Sequence, residues 1–176
     1  MKATRKHRRE VIEALRAEVD DHLQPGMPAM KCRICRRTVF LGKHKIDSAM
    51  ARALVRMYRF HQRYGDEWMD YRNYRARGES RKHSLLRHWD LVERADRKTG
   101  PSAGFWRITE LGRDFIDGEV EVPAAAWLYN DTCYGFVKRK TTIRQALGNK
   151  FDLDELLRSE AEPSTEFTGD TKKKGK

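Results

Sequence analysis

The sequence predicts an α+β fold, and three observations carry that expectation. Apolar residues recur at helical spacing in several stretches, among them Ile12, Leu15, Val19, Leu23 and Met50, Leu54, Val55, Tyr58, His61. Short β-capable runs lie between such stretches, at residues 38–41, 91–95, 105–108, 124–129 and 132–137. Gly, Pro, Asn and Asp punctuate the joins. Length sets the scale: 176 residues make one domain, or one domain with small additions. With 39% apolar and 36% charged residues, the core is thin.

The chain carries a formal net charge of +11 at pH 7. Such a surplus favours a polyanion partner, because neutralising phosphates releases their counterions. Solubility alone is the plain alternative. No apolar run approaches the roughly 20 residues needed to span a bilayer, and the opening MKATRKHRRE has no apolar stretch of the signal-peptide kind. A cytoplasmic protein is therefore expected. Three cysteines, two of them in a CxxC, fit a reducing compartment better than a disulfide framework.

Thr4 can cap a first helix that Pro25 and Gly26 stop. Its other faces are charged, so it docks either on its own domain or on a second copy, which makes a homodimer one expectation. Cys32 and Cys35 then have the spacing of a zinc knuckle, with the 38–41 strand after them. A zinc ribbon needs a second pair, which the chain lacks. The candidate ligands for Zn2+ are Cys32, Cys35 and His44, with His22 and Cys133 as other completing groups; two reduced thiols without metal are the alternative. Asp47 or Ser48 caps a helix running to about Tyr64, closed by Gly65. Residues 68–74 read as a second helix or its lead-in, and residues 75–79 as a turn.

Residues 80–116 organise the rest. Residues 80–89 have helical spacing, and at 100° per residue Lys82, Leu85, Leu86 and Trp89 share one side. Ser80, His83, Ser84 and Arg87 share the other, flanked by Arg81 and His88. Strands at 91–95 and 105–108 enclose a Gly- and Pro-rich loop, 96–104, with Arg97 and Lys98 near its tip. Thr109 can cap a short helix whose Leu111, Phe115 and Ile116 face inward. Helix, β-hairpin and helix are the second half of a winged helix-turn-helix domain. Here the Leu91-Val92-Glu93 strand and residues 106–113 (WRITELGR) resemble the wing of bacterial winged-helix regulators. More loosely, residues 32–155 resemble an uncharacterised winged-helix family of bacteriophages and mobile elements. The resemblance implies a DNA-binding transcriptional regulator. Winged helices also dock proteins, so a host protein is the alternative partner.

Charge placement favours DNA. No acidic residue lies between Ser80 and Trp89, whereas a solvated helix in so charged a protein more often mixes Glu with Lys. Short polar residues with His and Arg suit a helix entering a major groove. The candidate nucleic-acid contacts are Ser80, Arg81, His83, Ser84, Arg87 and His88, with Arg97 and Lys98 of the wing on the backbone. After Gly118, strands around Asn130-Asp131 and helices near Ile143 and Leu153 read as a small added subdomain. The organisation expected is an N-terminal helix (1–26), a CxxC knuckle-like segment (27–46), a winged-helix core (47–118), a C-terminal hairpin and helix (119–158) and a disordered tail (159–176). GxGxxG, Walker A and HExxH runs are missing, and GPSAG at residues 100–104 belongs to the Gly- and Pro-rich loop rather than to a nucleophile elbow, so no enzyme is expected.

Overall fold

The computed structural model of the chain describes residues 5–33, 35–74, 81–96 and 104–159, and the chain is mixed α+β. Its elements in order are helix α1 (Arg5–His22), strands β1 (Met30–Lys31), β2 (Thr38–Val39) and β3 (Gly42–Lys45), helix α2 (Ser48–Tyr64), strand β4 (Met69–Asp70) and short helix α3 (Tyr71–Tyr74). A 3-10 helix (Arg81–Trp89) follows, then β5 (Val92–Arg94), β6 (Phe105–Ile108), α4 (Glu110–Asp117), β7 (Val122–Pro123), β8 (Ala125–Tyr129), β9 (Thr132–Phe136), β10 (Lys140–Thr141), α5 (Ile143–Leu147) and α6 (Leu153–Arg158). The tail expected to be disordered begins at Ser159, which instead caps α6; residues 160–176 lie outside the described residues, as do Ser80, Arg97 and Lys98. No helix among the described residues is long and apolar enough to cross a membrane.

Two units emerge, residues 1–45 with 123–139 and residues 46–122 with 140–176. The grouping differs from the sequence expectation, which placed the 124–137 hairpin with the C-terminal helix. Strand pairing is the reason. β3 runs antiparallel to β8 from Gly42 opposite Leu128 to Lys45 opposite Ala125, and β8 pairs with β9. The hairpin thus completes a sheet that the CxxC segment begins. Asn130 and Asp131 turn it with positive φ of 46° and 67°, the hand that matches strand twist. In the same unit β1 and β2 pair antiparallel, and the Tyr134 hydroxyl donates to the Asp20 carboxylate at 2.8 Å. Burial and that carboxylate push the Tyr134 pKa up to about 12.

In the second unit Asp47 caps α2, accepting from the Met50 amide at 3.0 Å, and Gly65 closes it with φ 69°. The buried face of α2 (Met50, Ala51, Ala53, Leu54, Val55 and Met57) packs on the 3-10 helix, β6, α4, α5 and α6. A three-stranded antiparallel sheet in the order β4-β6-β5 forms the other layer, with Met69 opposite Trp106 and Val92 opposite Ile108. Glu93 and Arg107 pair across it, and the Arg107 guanidinium covers Trp68 at 4.5 Å. Residues 68–74, read from sequence as helical, divide here: Met69 and Asp70 join the sheet and only Tyr71–Tyr74 coils. Thr109 caps α4 as expected, but Leu111 is exposed. The inward arc is Gly112, Phe115 and Ile116, at i, i+3 and i+4, which turns Leu111 outward by about 100°.

Asp70 ends β4 and starts α3. Its carboxylate accepts from the Arg72 amide at 3.2 Å and from the Arg72 guanidinium at 2.8 and 2.7 Å. Those bonds hold the Asp70 carboxyl below the usual carboxylate range. A depressed folded-state pKa stabilises the fold above the unfolded value, and that gain is lost as pH falls through the folded one. Asp70→Asn is therefore expected to flatten the acid side of the stability curve. Melting temperatures measured from about pH 5 down to about pH 2 check this: a wild-type minus variant gap that stays constant over the range would contradict it.

Candidate functional site

The stretch from Arg81 to Trp89 coils at three residues per turn, with i and i+3 eclipsed, rather than at 3.6. Its ends are pinned. The Lys82 ammonium binds the Asp47 carboxylate at 2.8 Å, tying the first turn to the cap of α2. At the other end Asp90 takes φ 56°, and its carbonyl accepts from the Thr109 hydroxyl, which itself caps α4.

This pitch corrects one of the expected contacts. At 120° per residue His83, Leu86 and Trp89 fall on one line, and all three are buried. His83 is 8% exposed, stacked on Tyr71 at 3.9 Å and edge-on to Trp106 at 5.3 Å. The outward position expected for it rested on 100° steps, which the 3-10 coil does not take. Arg81, Ser84 and Arg87 form a second line, and Lys82, Leu85 and His88 a third. Ser84, Arg87 and His88 are half-buried and Lys82 is exposed. The expected grouping of Lys82 with Leu86 and Trp89 on the inner side gives way for the same reason. Arg97 and Lys98, expected at the tip of a wing, fall outside the described residues.

A cavity of about 480 Å³ opens beside this helix, lined by Tyr71, Arg72, His83, Ser84, Arg94 and Trp106 among others. The Arg94 guanidinium lies 6.0 Å from the Trp106 ring. The Arg72 guanidinium is already paired with the Asp70 carboxylate, which leaves Arg94 beside the aromatic wall as the group suited to an anion carried on a planar ring. Sequence reasoning missed Arg72, Arg94 and Trp106 as a group, because sheet pairing alone brings β4, β5 and β6 together.

In the other unit, the β1–β2 hairpin carries the CxxC. Lys31 lies opposite Thr38, so residues 32–37 make the connecting loop. The Cys32 amide donates to the Arg37 carbonyl at 2.9 Å, and the Arg36 amide to the Cys32 carbonyl at 2.9 Å. Arg36, directly after the second cysteine, takes φ 59° to close this tight loop. Cys32 is half-buried, Cys35 exposed, and the two come within 3.6 Å of each other. His44, the expected third ligand, does not join them: among the described residues no group of three or more His, Cys, Asp or Glu side chains is placed to hold a metal. The chain leaves the hairpin after Val39, and β3 is drawn into pairing with β8, where exposed His44 lies opposite Ala126. His22 contacts the Pro28 carbonyl at 2.8 Å, and the Cys133 thiol faces the Gly135 carbonyl at 3.6 Å.

Compared with protein-family models, with curated proteins and with solved structures, the chain matches none.

Proposed function

We propose that residues 46–122 form a winged-helix domain that binds double-stranded DNA and acts as a transcriptional regulator. One observation carries the reading. Helix α2, strand β4, helix α3, the 3-10 helix and the β5–β6 hairpin follow in the winged-helix order, and β4 pairs with the returning strand of the hairpin. The helix before the hairpin has no acidic residue, and Ser84 and Arg87 lie on one line of it, one turn apart. In this reading that line enters the major groove beside His88, and Arg97 and Lys98 meet the phosphate backbone. His83 supports the helix from behind.

Arg87 is the residue to test. A guanidinium in the major groove pairs with guanine O6 and N7, worth about 1–3 kcal/mol of discrimination. A site is first selected from a random duplex library. Arg87→Ala is then expected to cut the specific-to-random affinity ratio by roughly 5- to 150-fold while sparing weak binding to random DNA. Mobility shifts at two salt concentrations measure both. An unchanged ratio in a folded variant would remove base reading and favour docking to a host protein instead.

We also propose that Cys32 and Cys35 bind zinc. The hairpin loop brings the two cysteines within 3.6 Å of each other, near enough for both thiolates to reach one tetrahedral zinc at Zn–S distances of about 2.3 Å.

A further inference from the structure

We propose that one zinc ion joins two copies of this chain, held by Cys32 and Cys35 of each copy. The inference rests on the zinc reading above and supplies the rest of its ligand set. Structural zinc is almost always four-coordinate and closed. The hairpin loop brings Cys32 and Cys35 within 3.6 Å of each other, near enough for both to serve one ion. Among the described residues nothing completes the set, since His44 and Cys133 are held elsewhere by the β3-β8-β9 sheet. A second hairpin provides the other two thiolates. The two-fold axis then passes through the metal, the isologous arrangement commonest among dimers.

Accessibility agrees. Cys35 is exposed near the end of a two-stranded hairpin, so another copy can reach it without unfolding. Met27 before β1 and Phe40 after β2 are 49% and 55% exposed, large apolar side chains that a facing hairpin would shield. Charge works against the contact. Residues 22–46 hold Lys31, Arg33, Arg36, Arg37, Lys43 and Lys45 and no Asp or Glu. Arg33 is partly answered by Glu18 at 3.2 Å, and a zinc with four thiolates brings a net charge of about −2 to the middle of the remainder. Residual repulsion gives the dimer an unusual signature: it tightens as salt rises and screening shortens from about 10 Å at 0.1 M to about 3 Å at 1 M. DNA binding weakens over the same range.

The test uses the full chain, reduced and purified with zinc, followed by light scattering and elemental analysis with and without a chelator. The expected result is one zinc per two chains at twice the monomer mass of 20.7 kDa, and monomer after chelation. Cys35→Ser should abolish both zinc and dimer, with circular dichroism confirming the fold, whereas His44→Ala should keep both. One zinc per chain on a monomer overturns the bridge but leaves the zinc reading standing. No bound zinc overturns both readings. A dimer that survives chelation, or loss of zinc in His44→Ala, also overturns the bridge.

Discussion

Gly112→Ala is expected to lower the melting temperature by about 10 °C or more, although alanine is the better helix former by about 1 kcal/mol. A Cβ at this position would lie 2.2 Å from the Leu91 carbonyl oxygen and 2.7 Å from Cγ1 of Ile108. The closest obstacle is backbone, and it cannot yield cheaply. The Leu91 carbonyl already accepts from the Thr109 amide at 3.2 Å, and Leu91 and Ile108 are both buried. Helix α4 must therefore lift from the sheet and separate Phe115 and Ile116 from the core. Overpacking of this kind costs about 1–3 kcal/mol where side chains can adjust, and more where the backbone blocks. The steric term outweighs propensity. A thermal melt followed by circular dichroism checks it; a melting temperature equal to or above wild type would show that α4 stands off from Leu91.

His83→Ala is expected to destabilise the fold by about 2–4 kcal/mol and to leave DNA affinity of the folded protein within a few-fold of wild type. The imidazole fills the space between Tyr71 and Trp106 and continues the buried line of Leu86 and Trp89. Removing it leaves a cavity against two aromatic rings and the first turn of the 3-10 helix without its inner support. Urea unfolding followed by tryptophan fluorescence reads this directly, since Trp89 and Trp106 both border the region. The opposite pattern, full stability with weakened DNA binding, would return His83 to the outer surface. Paired with Arg87→Ala, the variant separates a residue that shapes the helix from one proposed to read bases.

Local signals that are strong in isolation were legible in the amino acids. Asp47 and Gly65 bracket α2, Thr109 caps α4, and Asn130-Asp131 turns the β8–β9 hairpin, because caps and turns are decided by a few adjacent residues. Elements whose form depends on distant partners were not. Met69 and Asp70 become a strand because Trp106 and Phe105 offer backbone groups to pair with. His44 leaves the cysteines because β8 recruits its strand.

The candidate site divides along the same line. Charge, the acid-free helix and the CxxC are properties of the sequence alone, and they set the chemistry open to the chain. The tertiary structure decided which side chains point where. A helix of nine residues, anchored at Asp47 and Thr109 and backed by Tyr71 and Trp106, winds at three residues per turn. That change of about 20° per residue is too small to see in a short sequence window. Summed over two turns, it carries His83 from the expected outer face into the core and leaves Ser84 and Arg87 half-buried on another line of the helix.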